Sequence, residues 1–142
     1  MNFLSSPYLL IPVGAWIVAQ LSKYIFLSLR QRSLDNYSLL YKSGDMPSSH
    51  SAVMVSLLVT VGSKLGLDSA LFGVVAIVTG IVLYDAVNVR RAVGEQGLVL
   101  RKLLKTAKDK DSFYNAKGHT LLEVIVGSLV GLLVALVLLQ FL

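Results

Sequence analysis

Apolar residues gather along the chain in long runs separated by short polar segments. Three runs, 51–67, 71–89 and 121–142, are dominated by aliphatic side chains. A bilayer hydrocarbon core asks for roughly 20 mostly apolar residues per helix, and each of these runs is close to that length. A fourth run, 3–21, mixes Ser5, Ser6, Pro7, Pro12 and Gln20 with aliphatics and Trp16. It fits a full span, a tilted helix or a half-inserted one, and it lacks the basic start and small-residue cleavage site of a signal peptide. The pattern predicts an all-α fold: a polytopic membrane helix bundle of about four transmembrane helices, with residues 1–142 as a single integral-membrane domain. The first helix is expected to continue past Lys23 to Arg30, the second to begin near Pro47, the third to end near Arg90 and the fourth to begin near Gly118.

Composition agrees with that pattern. Hydrophobic residues make up 55% of the chain against 15% charged, and the mean hydropathy is +0.72, outside the range of an ordinary soluble domain. With no cysteine, disulfides and cysteine-based metal sites or nucleophiles are excluded. The net charge of +5 would point to nucleic acid in a soluble protein. Here the cations lie between spans, where topology and anionic membrane lipids account for them, so no nucleic-acid partner is expected.

In an up-down bundle the end of span one, the start of two, the end of three and the start of four share one side of the membrane. Lys23, Arg30, His50, Asp85, Arg90, Arg91, His119 and Glu123 all fall there. Of thirteen Lys and Arg residues only Lys64 belongs to the opposite side, so the polar side is predicted to be cytoplasmic. Setting aside Lys23, Arg30, Arg90 and Arg91 as substrate ligands still leaves eight cations against one. In the loop before span four, Leu98, Leu100, Leu103, Leu104 and Ala107 form an apolar stripe with Arg101, Lys102, Lys105 and Lys108 mostly off it. That predicts a basic interfacial helix, although a helix packed on the bundle would show the same pattern.

Several of the converging residues have the spacing of a reaction centre. In "KGHTLLEVIVG", His119 and Glu123 are four apart, so one helix face would let the carboxylate orient the imidazole as a nucleophile or base. A capping residue beside an ion-paired carboxylate is the plainer account, but an ionisable group in a span is costly and points to function. In "GDMPSSHS", Pro47 suits a first helical turn, and Asp45 or a serine would cap it. Such a start leaves the amides around Ser48 and Ser49 to meet a phosphate, with His50 placed to donate a proton. Lys23 and Arg30 lie two turns apart on one face; on that segment alone, snorkelling to headgroups is the simpler explanation. Asp85, a turn inside span three near Arg90 and Arg91, implies an ion pair or a substrate clamp. Together these are the parts for phosphoryl transfer through a phosphohistidine. No carboxylate cluster suggests magnesium or calcium, and zinc has weak support, so neither metal nor cofactor is expected.

With those residues in view, the chain resembles the type 2 phosphatidic acid phosphatase superfamily, related to vanadium-dependent haloperoxidases, and most of all its small divergent membrane branch. Lys23 and Arg30 match the first motif, with Gln31 where the superfamily has proline. Pro47, Ser48, Ser49 and His50 match the second, with Ser49 in place of glycine. His119 and Glu123 match the third, with Glu for Asp and with Phe113 where an arginine belongs. The run "YDAVNVRRAVGEQ" resembles a signature of the divergent branch, from which Arg90 or Arg91 would supply the missing cation.

The resemblance implies that His119 attacks phosphorus, Glu123 orients it and His50 protonates the leaving alkoxide. Lys23, Arg30, Arg90 or Arg91, Ser48 and Ser49 would hold the phosphate oxygens. The expected function is a vanadate-sensitive, metal-independent phosphatase of lipid phosphomonoesters such as phosphatidylglycerophosphate, phosphatidic acid or polyprenyl phosphate. A second reading is a non-catalytic membrane protein that binds anionic lipid or a partner through its basic cytoplasmic face. A transporter fits less well, because the ionisable groups gather at one face. Gly127 and Gly131 form a small-xxx-small pair that would pack within the chain or support a homodimer.

Overall fold

The computed structural model describes residues 5–31, 46–103 and 120–142, without the side chains of Arg30, Gln31 and Arg101. Among the described residues there are five helices: α1 (Pro7–Gln31), α2 (Ser49–Leu65), α3 (Ala70–Val87), α4 (Val89–Leu103) and α5 (Leu121–Leu138). Helices α1, α3 and α5 are long and apolar enough to cross a membrane, and α2 is a shorter apolar helix. The predicted bundle is present, and α1 does run through Lys23 and Arg30. The second and fourth spans start slightly later than expected, because Ser48 and Thr120 take extended conformations and cap them.

Helix α2 is the centre of the bundle. Its buried positions are Ser51, Ala52, Ser56, Thr60 and Val61, a mostly small and hydroxylated set. The hydroxyls satisfy themselves locally: Ser56 Oγ donates to the Val53 carbonyl and Thr60 Oγ1 to that of Ser56. Lipid tails are as apolar as leucine, so helices in a bilayer associate where small residues let their backbones approach. Helix α1 meets this requirement with a four-residue stripe of Ile11, Ala15, Ala19, Lys23 and Leu27, all buried. Helix α5 meets it with glycine. A Cβ at Gly127 would run into the Ser48 carbonyl, and one at Gly131 into that of Ala52. The small-xxx-small pair is therefore used within the chain.

The outward faces carry the opposite pattern. Val13, Trp16, Ile17 and Leu21 on α1, Leu71, Val74, Ile77 and Ile81 on α3, and Leu122, Ile125, Leu129 and Leu133 on α5 are all exposed. A surface this apolar faces lipid and leaves no backbone polar groups uncovered within the spans. Helix α3 joins α2 through Thr79, whose Oγ1 donates to the Met54 carbonyl at 3.4 Å, and through Phe72 against Gly62.

At Asn88 the backbone stays in the right-handed helical region and α4 follows at once. Helix α4 packs mainly on α3. At 100° per residue its apolar face is Val89, Ala92, Val93, Val99, Leu100 and Leu103, opposite Arg90, Arg91 and Lys102. Leu98 falls among the cations, which corrects its assignment to the apolar stripe. Leu104, Lys105, Ala107 and Lys108 lie outside the described residues.

Candidate active site at the polar end of the bundle

Three contacts fix the relative depth of the helices. Helices α2 and α5 run parallel, with Ser48 beside Gly127 and Ala52 beside Gly131. Gly14 of the antiparallel α1 meets Leu138; an equal rise along both helices puts Lys23 level with Leu129, and hence with His50 on α2, to within about one 5.4 Å turn. On α3, the pairing of Thr79 with Met54 puts Asp85 level with Ser48. Lys23, Ser48, His50 and Asp85, from three helices, thus lie in one layer of the bundle. Glu123 stands about a turn closer to the polar end.

Lys23 is only 6% exposed. It lies on the packed stripe of α1 and does not snorkel to headgroups. Taking an ammonium into a bundle of this kind costs several kcal/mol after relaxation, so it calls for compensating polar neighbours. Arg30 is two turns further along the same helix.

The start of α2 is tied to α5. The Ser48 amide donates to the Glu123 carbonyl at 3.1 Å, and the Ser48 hydroxyl accepts from both the amide (3.4 Å) and the hydroxyl (3.0 Å) of Ser51. The Ser48 amide is therefore already used, contrary to the expectation that it faces a phosphate. The Ser49 amide makes no hydrogen bond among the described residues, and Ser49 is half-buried.

Glu123 forms a capping box with Thr120. Its Oε2 accepts from the Thr120 amide at 3.0 Å, while its own amide donates to Thr120 Oγ1 at 3.3 Å. Because α5 begins at Leu121 with Thr120 as an extended cap, residue 119 precedes the helix. The expected face shared by positions 119 and 123 is thus absent; His119 itself lies outside the described residues. The capping box, Thr120 with Glu123 three residues on, was legible in the sequence but was read there only as a general capping alternative.

His50 is exposed and lines a cavity of about 310 Å³ with Trp16, Ser49, Val53, Met54 and Val82. It stands about 200° around α2 from Ser48, so the fold puts His50 and Glu123 on different flanks of that helix. Both helices begin at the same end, however, and helical side chains lean toward their N-terminus. Asp85 is half-buried and makes no ion pair. The carboxylate that pairs with Arg91 is Glu95, one turn along α4, at 3.2 Å between exposed groups. Arg90 is also exposed. The expected Asp85–arginine pair is therefore replaced by a local one, since i,i+4 neighbours on α4 meet without any packing. Among the described residues no three His, Cys, Asp or Glu side chains gather as a metal site.

Comparison with known proteins adds a family to this geometry. No solved structure matches the chain. A protein of Bacillus subtilis (strain 168) described as uncharacterized membrane protein YuiD is 40% identical to it over 157 positions, covering 99% of both chains. Residues 4–134 match the family described as the Divergent PAP2 family. That match takes in every helix and all three motif regions, and on its strength the chain, an integral membrane protein, belongs to the Divergent PAP2 family.

Proposed function

We propose that the protein hydrolyses a lipid phosphomonoester at the cytoplasmic face of the membrane through a phosphohistidine at His119. The observation that carries this reading is Lys23. A cation buried in a membrane bundle, level with His50 and Ser48, is expensive to keep unless it has a charge to meet. A phosphate above the adjacent starts of α2 and α5 is such a charge, and helix N-termini favour it further.

In the first step a nitrogen of His119 forms a bond to phosphorus, the phosphorus–alkoxide bond breaks, and His50 gives its proton to the departing oxygen. In the second, water attacks phosphorus, His50 takes its proton and the N–P bond breaks to release phosphate. Glu123 has one oxygen in the capping box and a second with which to orient His119. Lys23, Arg30, Arg90 or Arg91, the Ser48 hydroxyl and the Ser49 amide stabilise the equatorial oxygens, the contribution that usually dominates such reactions. Asp85 closes the layer on the α3 side, where a carboxylate binds substrate only while protonated.

The test is phosphate release from phosphatidic acid, phosphatidylglycerophosphate and a polyprenyl phosphate, with and without chelator. Wild type should turn over at least one of them, insensitively to chelator and inhibited by vanadate, and His119→Ala should abolish turnover. Absence of release from the whole panel, or equal release by His119→Ala, overturns the proposal.

A further inference from the structure

A groove runs between α3 and α5 on the flank of α2 that faces away from α1. Its walls are Leu83, Tyr84, Val87 and Asn88 on one side and Leu121, Ile125, Ser128, Leu129 and Leu132 on the other, and Val55 of α2 lies in its floor. The volume is about 540 Å³. From Leu121 to Leu132 it follows α5 for about 16 Å at 1.5 Å per residue. That is close to half of a hydrocarbon core about 30 Å thick, the depth of one leaflet. It begins at the polar end, where Leu121 is two residues beyond His119 in the chain, and stops near the middle of α5.

We infer that this groove holds one hydrocarbon chain of the lipid substrate, taken from the leaflet on the polar side. The inference rests on the reading of the protein as a lipid phosphate phosphatase and names how the lipid is held. The dimensions choose the occupant. The volume spread over that depth gives a cross-section of roughly 30 Å², room for one extended hydrocarbon chain, whereas a helix from a second copy is 10–12 Å across. Polarity gives the chain its direction: Tyr84 and Asn88 stand at the mouth, with the Asn88 amide donating to the Tyr84 carbonyl. Below them the only polar side chain is Ser128, whose hydroxyl donates to the Val124 carbonyl on its own helix. Because Gly127 and Gly131 seal the seam between α2 and α5, the headgroup sits above the paired helix starts and the tail descends on the α3 side.

The test is a variant that fills the groove, Ile125→Trp, with Leu129→Trp as a second in case the first does not fold. Full-length protein in vesicles containing phosphatidic acid with a mid-chain diazirine is irradiated, and the labelled residues are mapped. Label should concentrate on Leu83, Val87, Leu129 and Leu132 and fall at least fivefold in the filled variant. In parallel, KM for dipalmitoyl phosphatidic acid should rise about tenfold, the equivalent of two methylenes left unburied, with dihexanoyl phosphatidic acid unaffected. Label spread evenly over the exposed faces of α1 and α3, label unchanged by the filled variant, or a dimer that the filled variant dissociates would each overturn the inference. Failure of the enzymatic reading is a separate result: wild type then releases no phosphate, while the labelling still decides the groove.

Discussion

Helix α5 has two neighbours that it treats in opposite ways. Toward α2 it presents Gly127 and Gly131, and the backbones touch; toward α3 it presents Leu121, Ile125, Leu129 and Leu132, and a groove stays open. Hydropathy does not separate the two sides, since both are apolar. What differs is side-chain size, and in a bilayer that decides which surfaces meet, because lipid competes equally for any apolar face. The contrast is broken most severely at Gly131. Valine there drives a branched side chain into the Ala52 backbone carbonyl, which cannot move aside as a flexible side chain would. We expect Gly131→Val to cost more than about 3 kcal/mol and to abolish the monodisperse folded peak in detergent. A variant that keeps wild-type thermal stability would show that the seam is not closed.

The closed side also carries the buried cation. Lys23→Met preserves the length and volume of the side chain and removes its charge. If the layer of Lys23, Ser48 and His50 serves chemistry, phosphate release should fall about 100-fold while the unfolding midpoint holds or rises, because an expensive buried charge has gone. Equal loss of stability and activity would make Lys23 a structural residue, and retained activity would remove it from the site.

The helices and their lipid-facing surfaces were legible in the sequence because they depend on runs of apolar residues, and the convergence of polar residues at one end followed from span order. Two kinds of information were hidden. Which partner Gly127 and Gly131 would choose depends on what lies opposite, and Ser48 and Ala52 are far away in sequence. The start of α5 turned on local competition: Thr120 and Glu123 close a capping box that shifts the helix two to three residues beyond the expected start and leaves His119 ahead of it. The burial of Lys23 was similarly invisible from its own segment, where an apolar stripe suits lipid and bundle alike.

The capping box gives the next smaller effect. Thr120→Ala leaves the Glu123 amide without its acceptor and should cost about 1 kcal/mol in stability. Its effect on turnover should exceed what that loss explains, since the cap also fixes where residue 119 leaves the helix; a purely proportional loss would separate the cap from the chemistry.

The smallest expected effect concerns the open side. Helix α3 stands off from α5, so its position depends on α2, where the polar tie among the described residues is Thr79 Oγ1 to the Met54 carbonyl, at 3.4 Å a long bond. Valine at position 79 matches threonine in shape and removes only the hydroxyl. Interhelical hydrogen bonds in bilayers average about 0.6 kcal/mol, so Thr79→Val should lower stability by about that much. A loss above about 2 kcal/mol would mean that this bond, and not the packing of Phe72 on Gly62, holds α3 at its distance and sets the groove's width. In that case lipid labelling of Leu83 and Val87 should weaken with it. If stability and labelling both hold, the groove's width follows from the bulk of the side chains that line it, as the closed seam follows from their absence.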